Sequence, residues 1–230
     1  MGAYQQVSEL LIKRGYGAVP IMPGTKAPGF FFAGMWIGLL NWQKRFDNGP
    51  PPADERARWA AEDSGVGVLG GKGSHGLVGV DIDTNDSAIR AALETILPTT
   101  LVRKIGNRGE TMFYYGPDVP ESKSWYINGK CIVELIGPGR QAVLPPTIHP
   151  DTGAPYYWSG SARLEDLAPH ELPALPGDIA GKITAVLTPF GYCPESAPHE
   201  NHGQTASRCL SFHSSSVARD RDAPRRNHRL

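Results

Sequence analysis

Residues 65–86 read GVGVLGGKGSHGLVGVDIDTND. Two short apolar runs, Val66 to Leu69 and Leu77 to Val80, enclose Gly70-Gly71-Lys72-Gly73-Ser74-His75-Gly76. β-branched residues inside and turn residues between them predict strand, glycine-rich loop, strand. The second run passes directly into Asp81-Ile82-Asp83. Residues two apart on a strand point to one face, so both carboxylates leave the same side and Ile82 the other. Two adjacent carboxylates repel unless a positive charge lies between them. The pair therefore admits two readings: solvated acids at a strand end, or ligands of a hard divalent cation such as magnesium or manganese.

The composition sets the frame for this stretch. At 230 residues the chain can form one substantial domain or two small modules sharing an interface. Its formal net charge of zero excludes a global basic field but not a local basic groove. The longest apolar stretch, residues 29–40, is too short and too rich in glycine to span a membrane. The N-terminus lacks a long apolar signal core, and Val7 stands where a myristoylation signal needs Ser or Thr. Cys131, Cys193 and Cys209 are widely spaced and form neither a zinc pattern nor a disulfide framework. The expectation is a cytoplasmic, reduced protein with no membrane contact.

Working outward, residues 5–14 predict a helix with Val7, Leu10 and Leu11 on its buried face and Gly15 at its end. Residues 17–22 predict a strand, at an edge because of Pro20. The Pro/Gly-rich loop that follows carries Lys26. A helix is expected from Pro52 to about Glu62 with Trp59 in the core, and another over 87–97 behind the good N-caps of 84–87. Residues 101–105 and 111–115 predict a hairpin around Gly106-Asn107-Arg108-Gly109. Further strands are expected over 130–136, 140–144 and 156–158, with a last helix over 178–187. The organisation is thus an α+β domain over 1–188. Residues 189–230, rich in His, Ser, Arg and Pro, read as a disordered tail or truncated linker. There is no internal repeat.

Glu134 lies within the apolar run Ile132-Val133-Glu134-Leu135-Ile136, so it faces water on an alternating strand or serves a function. With Asp81 and Asp83 it would complete a set of three carboxylates. Such a set can hold two metal ions and transfer nucleotidyl or phosphoryl groups. Arg103, Lys104, Arg108, Arg140 and His149 flank the acids in sequence, and Lys26 comes from the N-terminal loop. Each is either a solvated charge or a phosphate contact. Tyr157 and Trp158 are either core or stacking groups for a nucleic-acid strand.

Five ordered segments carry a family resemblance: PGTKAPG followed by Trp36 and Trp42, then GVGVLGG, LVGVDID, VRKIGNRGETMFYYG and VELIGPGRQAVLPPTIHPDTGAPYYW. Over residues 5–158, and more weakly to 187, the chain resembles the N-terminal primase-polymerase domain of bifunctional DNA primase/polymerases from phages, plasmids and integrated elements. These belong to the archaeo-eukaryotic primase superfamily. The resemblance implies an RRM-like catalytic sheet packed with an N-terminal α/β module, the active site lying in the cleft between them. It implies that Asp81, Asp83 and Glu134 are catalytic and bind Mg2+ or Mn2+. Nucleotide and phosphate contacts would come from Lys26, Arg103, Arg108, Thr111, Arg140 and His149.

One departure stands out. The family motif commonly ends in a His that touches the nucleotide's phosphates, and Thr111 falls near that position. Either Arg103 and Arg108 supply the contact, or His149 does, or activity is weakened. The implied reaction is attack of a primer hydroxyl on a nucleoside triphosphate along a single-stranded DNA template. The competing readings are a metal-dependent nuclease and a nucleic-acid-binding replication module that has lost catalysis. No G-x-x-x-x-G-K-[ST] loop is present, so a helicase, usual in the family, would be a separate chain or lie beyond this sequence.

Overall fold

The computed structural model describes residues 1–60, 62–118 and 121–194. Of the expected tail, residues 195–230 lie outside them. The first helix, α1 (Ala3–Arg14), ends at Gly15 in the left-handed region with Lys13 and Arg14 at the negative end of its dipole. Its buried stripe is Tyr4, Ser8 and Leu11. Of the expected face, Leu11 is buried and Val7 half-buried against the core, whereas Leu10 lies at its margin and is exposed.

Strand β1 (Ala18–Ile21) is followed by a hairpin, β2 (Gly29–Phe32) and β3 (Met35–Gly38). That hairpin occupies sequence expected to be loop; its Pro and Gly residues mark its ends rather than an irregular chain. Helix α2 (Ala53–Trp59) buries Trp59 edge-on against Tyr4. Strands β4 (Gly65–Leu69) and β5 (Leu77–Ile82) lead to α3 (Ser87–Glu94). The Asp86 carboxylate caps α3, accepting the Ala88 and Ile89 N–H groups at 2.9 and 3.2 Å. Such a cap is worth about 1 kcal/mol.

There follow β6 (Arg103–Ile105), β7 (Glu110–Tyr115), β8 (Lys123–Ile127), β9 (Lys130–Ile136), β10 (Gln141–Leu144), β11 (Tyr157–Trp158) and α4 (Ile179–Leu187). Strand β8 has no clear apolar alternation and is held through its partner β9. Its Trp125 is fully buried and donates from Nε1 to Thr184 Oγ1 on α4 at 2.9 Å. Beyond residue 188, Tyr192 is still buried in the same core.

The strands form a six-stranded antiparallel sheet, β11-β6-β7-β5-β9-β8, a three-stranded sheet, β1-β4-β10, and the separate β2-β3 ribbon. Pro20 is accommodated because β1 is an edge. The runs on either side of the glycine-rich loop do not pair with each other. Strand β4 belongs to the small sheet and β5 to the large one. The chain crosses back between them from β9 to β10. The two crossovers run side by side, tied by the Gly70 N–H donating to the Arg140 carbonyl at 2.9 Å.

Alternation along β5 separates two environments. Val78, Val80 and Ile82 join Ile89 and Leu93 of α3 and Ile183 of α4 in one core. Leu77 joins a second core that contains the small sheet and α1. Towards the end of β5 the two sheets diverge. Asp81 and Asp83 stand there, on the face away from the helices, and line a cleft whose other wall is β10.

Candidate active site

Strand register builds the floor of this cleft. Lys104 on β6 lies opposite Thr111 on β7, Thr111 opposite Asp81 on β5, Asp81 opposite Glu134 on β9, and Glu134 opposite Ser124 on β8. Directly opposed residues in antiparallel strands share a face, with Cβ atoms about 5 Å apart. Five side chains from five strands therefore form one row. Asp83 follows two residues after Asp81 on the same face. The cleft has a volume of about 330 Å³ and is lined from the other side by Lys26, Gln141, His149 and Tyr156.

Three carboxylates on one face repel, and the structure gives each its own hydrogen-bond donor, two of them charged. Thr111 Oγ1 donates to Asp81 Oδ1. Arg108 embraces Asp83 through both carboxylate oxygens, Nε to Oδ1 at 2.7 Å and Nη2 to Oδ2 at 3.2 Å. Arg140 Nη1 donates to Glu134 Oε1 and to Ser124 Oγ, the latter at 2.8 Å. Among the described residues no three His, Cys, Asp or Glu side chains are gathered as a ready-made metal site. The donor chemistry of Asp81, Asp83 and Glu134 nevertheless suits a hard cation, since all three offer only carboxylate oxygen. Arg108 and Arg140 hold charge that such an ion would replace.

Around the acids the cleft is basic and aromatic, from Lys104 at the end of the row and from Lys26, His149 and Tyr156 facing it. Lys104 is only 7 % exposed, with its Nζ 4.9 Å from the centre of the Tyr156 ring. The His149 ring, 3 % exposed, leans on the same tyrosine at 5.0 Å. His149 Nδ1 accepts the Asp151 backbone N–H at 3.1 Å, so the neutral imidazole carries its proton on Nε2. Burial and then the nearby Lys26 charge keep its pKa below the usual histidine value, against the pull of Asp151.

The N-terminal domain of bifunctional DNA primase/polymerases, Prim-Pol, has a family model that matches residues 9–175. The chain belongs to the Prim-Pol family. No curated protein matches it. Prim-Pol membership points in general to DNA primase/polymerase activity and to DNA and nucleotides as substrates. No helix among the described residues is long and apolar enough to cross a membrane.

Of the residues expected at the Prim-Pol site, the cleft gathers Asp81, Asp83, Glu134, Lys26, Arg108, Thr111 and His149, and Arg140 reaches it through Glu134. Arg103 is not brought in. Its neighbour Lys104 takes the cleft face, so Arg103 points to the helix side. There it donates to the Thr100 carbonyl and to Glu110, which also accepts from Ser159. Tyr157 is exposed and Trp158 packs edge-on against Phe113, so neither lines the cleft; Tyr156 does. The sequence carried one usable signal for Lys104: it shares strand parity with the apolar Val102, which marks a buried face.

Lys104 makes stability depend on pH. Burial pushes its pKa from 10.5 down to about 8, with Asp81 pulling it back up and Lys26 adding to the fall. Between about pH 8 and 10.5 the unfolded chain holds a proton that the folded chain has lost, so stability rises with pH across that window. Below it the full cost of the buried charge is felt. The expected gain across the window is about 3 kcal/mol. Lys104→Met should therefore raise the melting temperature at pH 7, and its advantage over wild type should disappear as pH approaches 10. Paired thermal melts from pH 7 to 10 test this. An advantage that is constant with pH would mean that folding does not shift the Lys104 pKa.

Proposed function

We propose that the chain is a template-directed nucleotidyltransferase, a DNA primase/polymerase of a phage or plasmid replication system. The observation that carries this reading is the register of Glu134 directly across from Asp81, with a basic wall facing both. Asp81, Asp83 and Glu134 would hold divalent magnesium or manganese. Two bound ions would supply charge neutralisation on the phosphates and a lowered pKa for the attacking hydroxyl.

The chain's own residues do the rest. Lys26 and Lys104 draw the triphosphate into the cleft by charge. Arg108 and Arg140, relieved of their carboxylates, turn to phosphate oxygens and hold the pyrophosphate as it leaves. His149 donates from Nε2 and takes the place of the histidine that Thr111 replaces. Thr111 instead orients the Asp81 carboxylate. Glycine-rich turns and the β10 wall narrow the cleft and fix the nucleotide relative to the primer end.

The finer fold assignment, an RRM-like sheet of the archaeo-eukaryotic primase kind, belongs to the same reading. An antiparallel sheet with α3 and α4 on one face and the acidic row on the other supports it. A cytoplasmic location, and a helicase on a separate chain or in sequence beyond this one, belong to the same reading.

The test is primer extension on a primed single-stranded DNA template, with magnesium and manganese in parallel. The labelled primer is expected to lengthen only when nucleoside triphosphates are present, and omission of the primer then measures priming. Shortening of the label would indicate a nuclease. Binding without any change in length in either metal would indicate a replication module that has lost catalysis.

A further inference from the structure

The β2-β3 hairpin is left out of the chemistry above. Its registers set Phe30 opposite Ile37, Phe31 opposite Trp36 and Phe32 opposite Met35. One face roots the hairpin, because Phe30 packs on the core that holds the small sheet. The other face carries Phe31 and Trp36, with ring centres 5.6 Å apart at 64°. Beside them a side chain at Gly38 would meet nothing within 4 Å. At the tip, Phe32 is 56 % and Met35 61 % exposed, and Leu40 beyond the hairpin is exposed as well. A ribbon that leaves Phe32, Met35 and Leu40 exposed and Phe31 and Trp36 half-buried suits a surface that something else covers.

Three observations select the occupant. First, no charged residue occurs from Ala27 to Gln43, and the nearest charge at either end is positive, Lys26 on one side and Lys44 on the other; Arg45, next in sequence, is paired with Glu55. Aromatic faces bracketed by cations suit a polyanion with stacking bases. Second, the hairpin is continuous with the cleft: Lys26 lines the cleft, and its carbonyl accepts Gln141 Nε2 of β10 at 2.8 Å. Third, the half-buried rings of Phe31 and Trp36 lie beside an open glycine, and flat rings stack on any base without reading its edge.

We propose that the β2-β3 hairpin is a stacking platform for single-stranded DNA, where bases of the strand outside the cleft rest on Phe31 and Trp36. This site rests on the polymerase reading for its biological use but not for its binding, which needs neither nucleotide nor metal.

The experiment is fluorescence anisotropy of a fluorescein-labelled oligothymidylate with the full chain, in EDTA and without nucleotide. Wild type, Phe31→Ala/Trp36→Ala and Gly181→Ala, on the exposed side of α4, are compared. Stacking is worth about 1–3 kcal/mol per base, so the double variant should bind at least about 10-fold more weakly, with the salt slope unchanged because no phosphate contact is removed. Gly181→Ala should bind like wild type. A second measurement needs no variant: ultraviolet crosslinking of a bromodeoxyuridine oligonucleotide to wild type, followed by peptide mapping, should mark residues 29–38.

Equal binding by wild type and the double variant, or crosslinks confined to other peptides, overturns the proposal, as does a wild type that binds no single-stranded DNA. A wild type that self-associates through the hairpin and loses no DNA affinity in the variant also overturns it, in favour of a protein interface. Extension with hairpin-independent binding would refute the platform alone. Hairpin-dependent binding without extension would refute only the polymerase reading.

Discussion

Asp81→Asn is expected to lower nucleotide incorporation by about 1,000-fold or more, which corresponds to about 4 kcal/mol of barrier. The same variant should melt at or above the wild-type temperature. Both halves of the result follow from the row across the large sheet. Asp81 is the central member, opposed by Thr111 on one side and Glu134 on the other. The amide keeps the shape and still accepts the Thr111 hydroxyl, so packing is unchanged. It removes one of three like charges from one face, and the repulsion so relieved offsets the loss of Asp81's pull on the buried Lys104 ammonium. What is lost is negative oxygen at the point where a cation must sit. Single-turnover incorporation beside a thermal melt measures both. Incorporation within about 10-fold of wild type would remove Asp81 from the chemistry. A collapse in melting temperature would make its role structural.

Gly109→Ala should be the most damaging small substitution in the cleft. Gly109 has φ of +67°, and a methyl group there would fall inside the van der Waals shell of the Ile82 carbonyl oxygen. Both atoms are backbone, so no side chain can swing aside. The left-handed conformation alone costs about 1 kcal/mol in an L-residue, and the clash forces the 106–109 turn away from β5. Together about 3 kcal/mol is expected, or a drop in melting temperature of about 6–12 °C for a domain of this size. Arg108 moves with the turn and releases Asp83, so incorporation should fall even well below the melting temperature. Gly181→Ala, on the exposed side of α4 where an added methyl meets nothing, should instead stabilise by about 0.5–1 kcal/mol. Similar melts for the two variants would mean that the 106–109 turn is not held against β5.

The acidic part of the site was legible because it depends on strand periodicity alone. Alternation put Asp81 and Asp83 on one face before any partner was known, and a charged residue inside the apolar run around Glu134 marked a third strand face with a purpose. The basic part depends on which parity of a strand faces the cleft. That choice is made by pairing, which is why Arg103 was expected where Lys104 lies. Tyr156 stayed hidden for a related reason: three aromatics in a row do not say which one turns inward. The β2-β3 hairpin was masked by its own Pro and Gly residues, and β8 by a lack of alternation that its pairing with β9 makes unnecessary. Membership of β4 and β5 in different sheets was out of reach, because a glycine-rich loop between two apolar runs looks the same whether it closes a hairpin or carries the chain across a gap.

That crossing has a bearing on how the cleft is maintained. The chain passes between the sheets twice, from β4 to β5 and again from β9 to β10, and the two passages are stitched together side by side. Neither wall of the cleft is a continuous piece of chain that could be removed, exchanged or inherited without the other. The walls behave as two blades on a shared double hinge rather than as two docked modules. The distance between Asp81 and the β10 wall is therefore a property of the backbone itself, carried along with the fold through any change of surface.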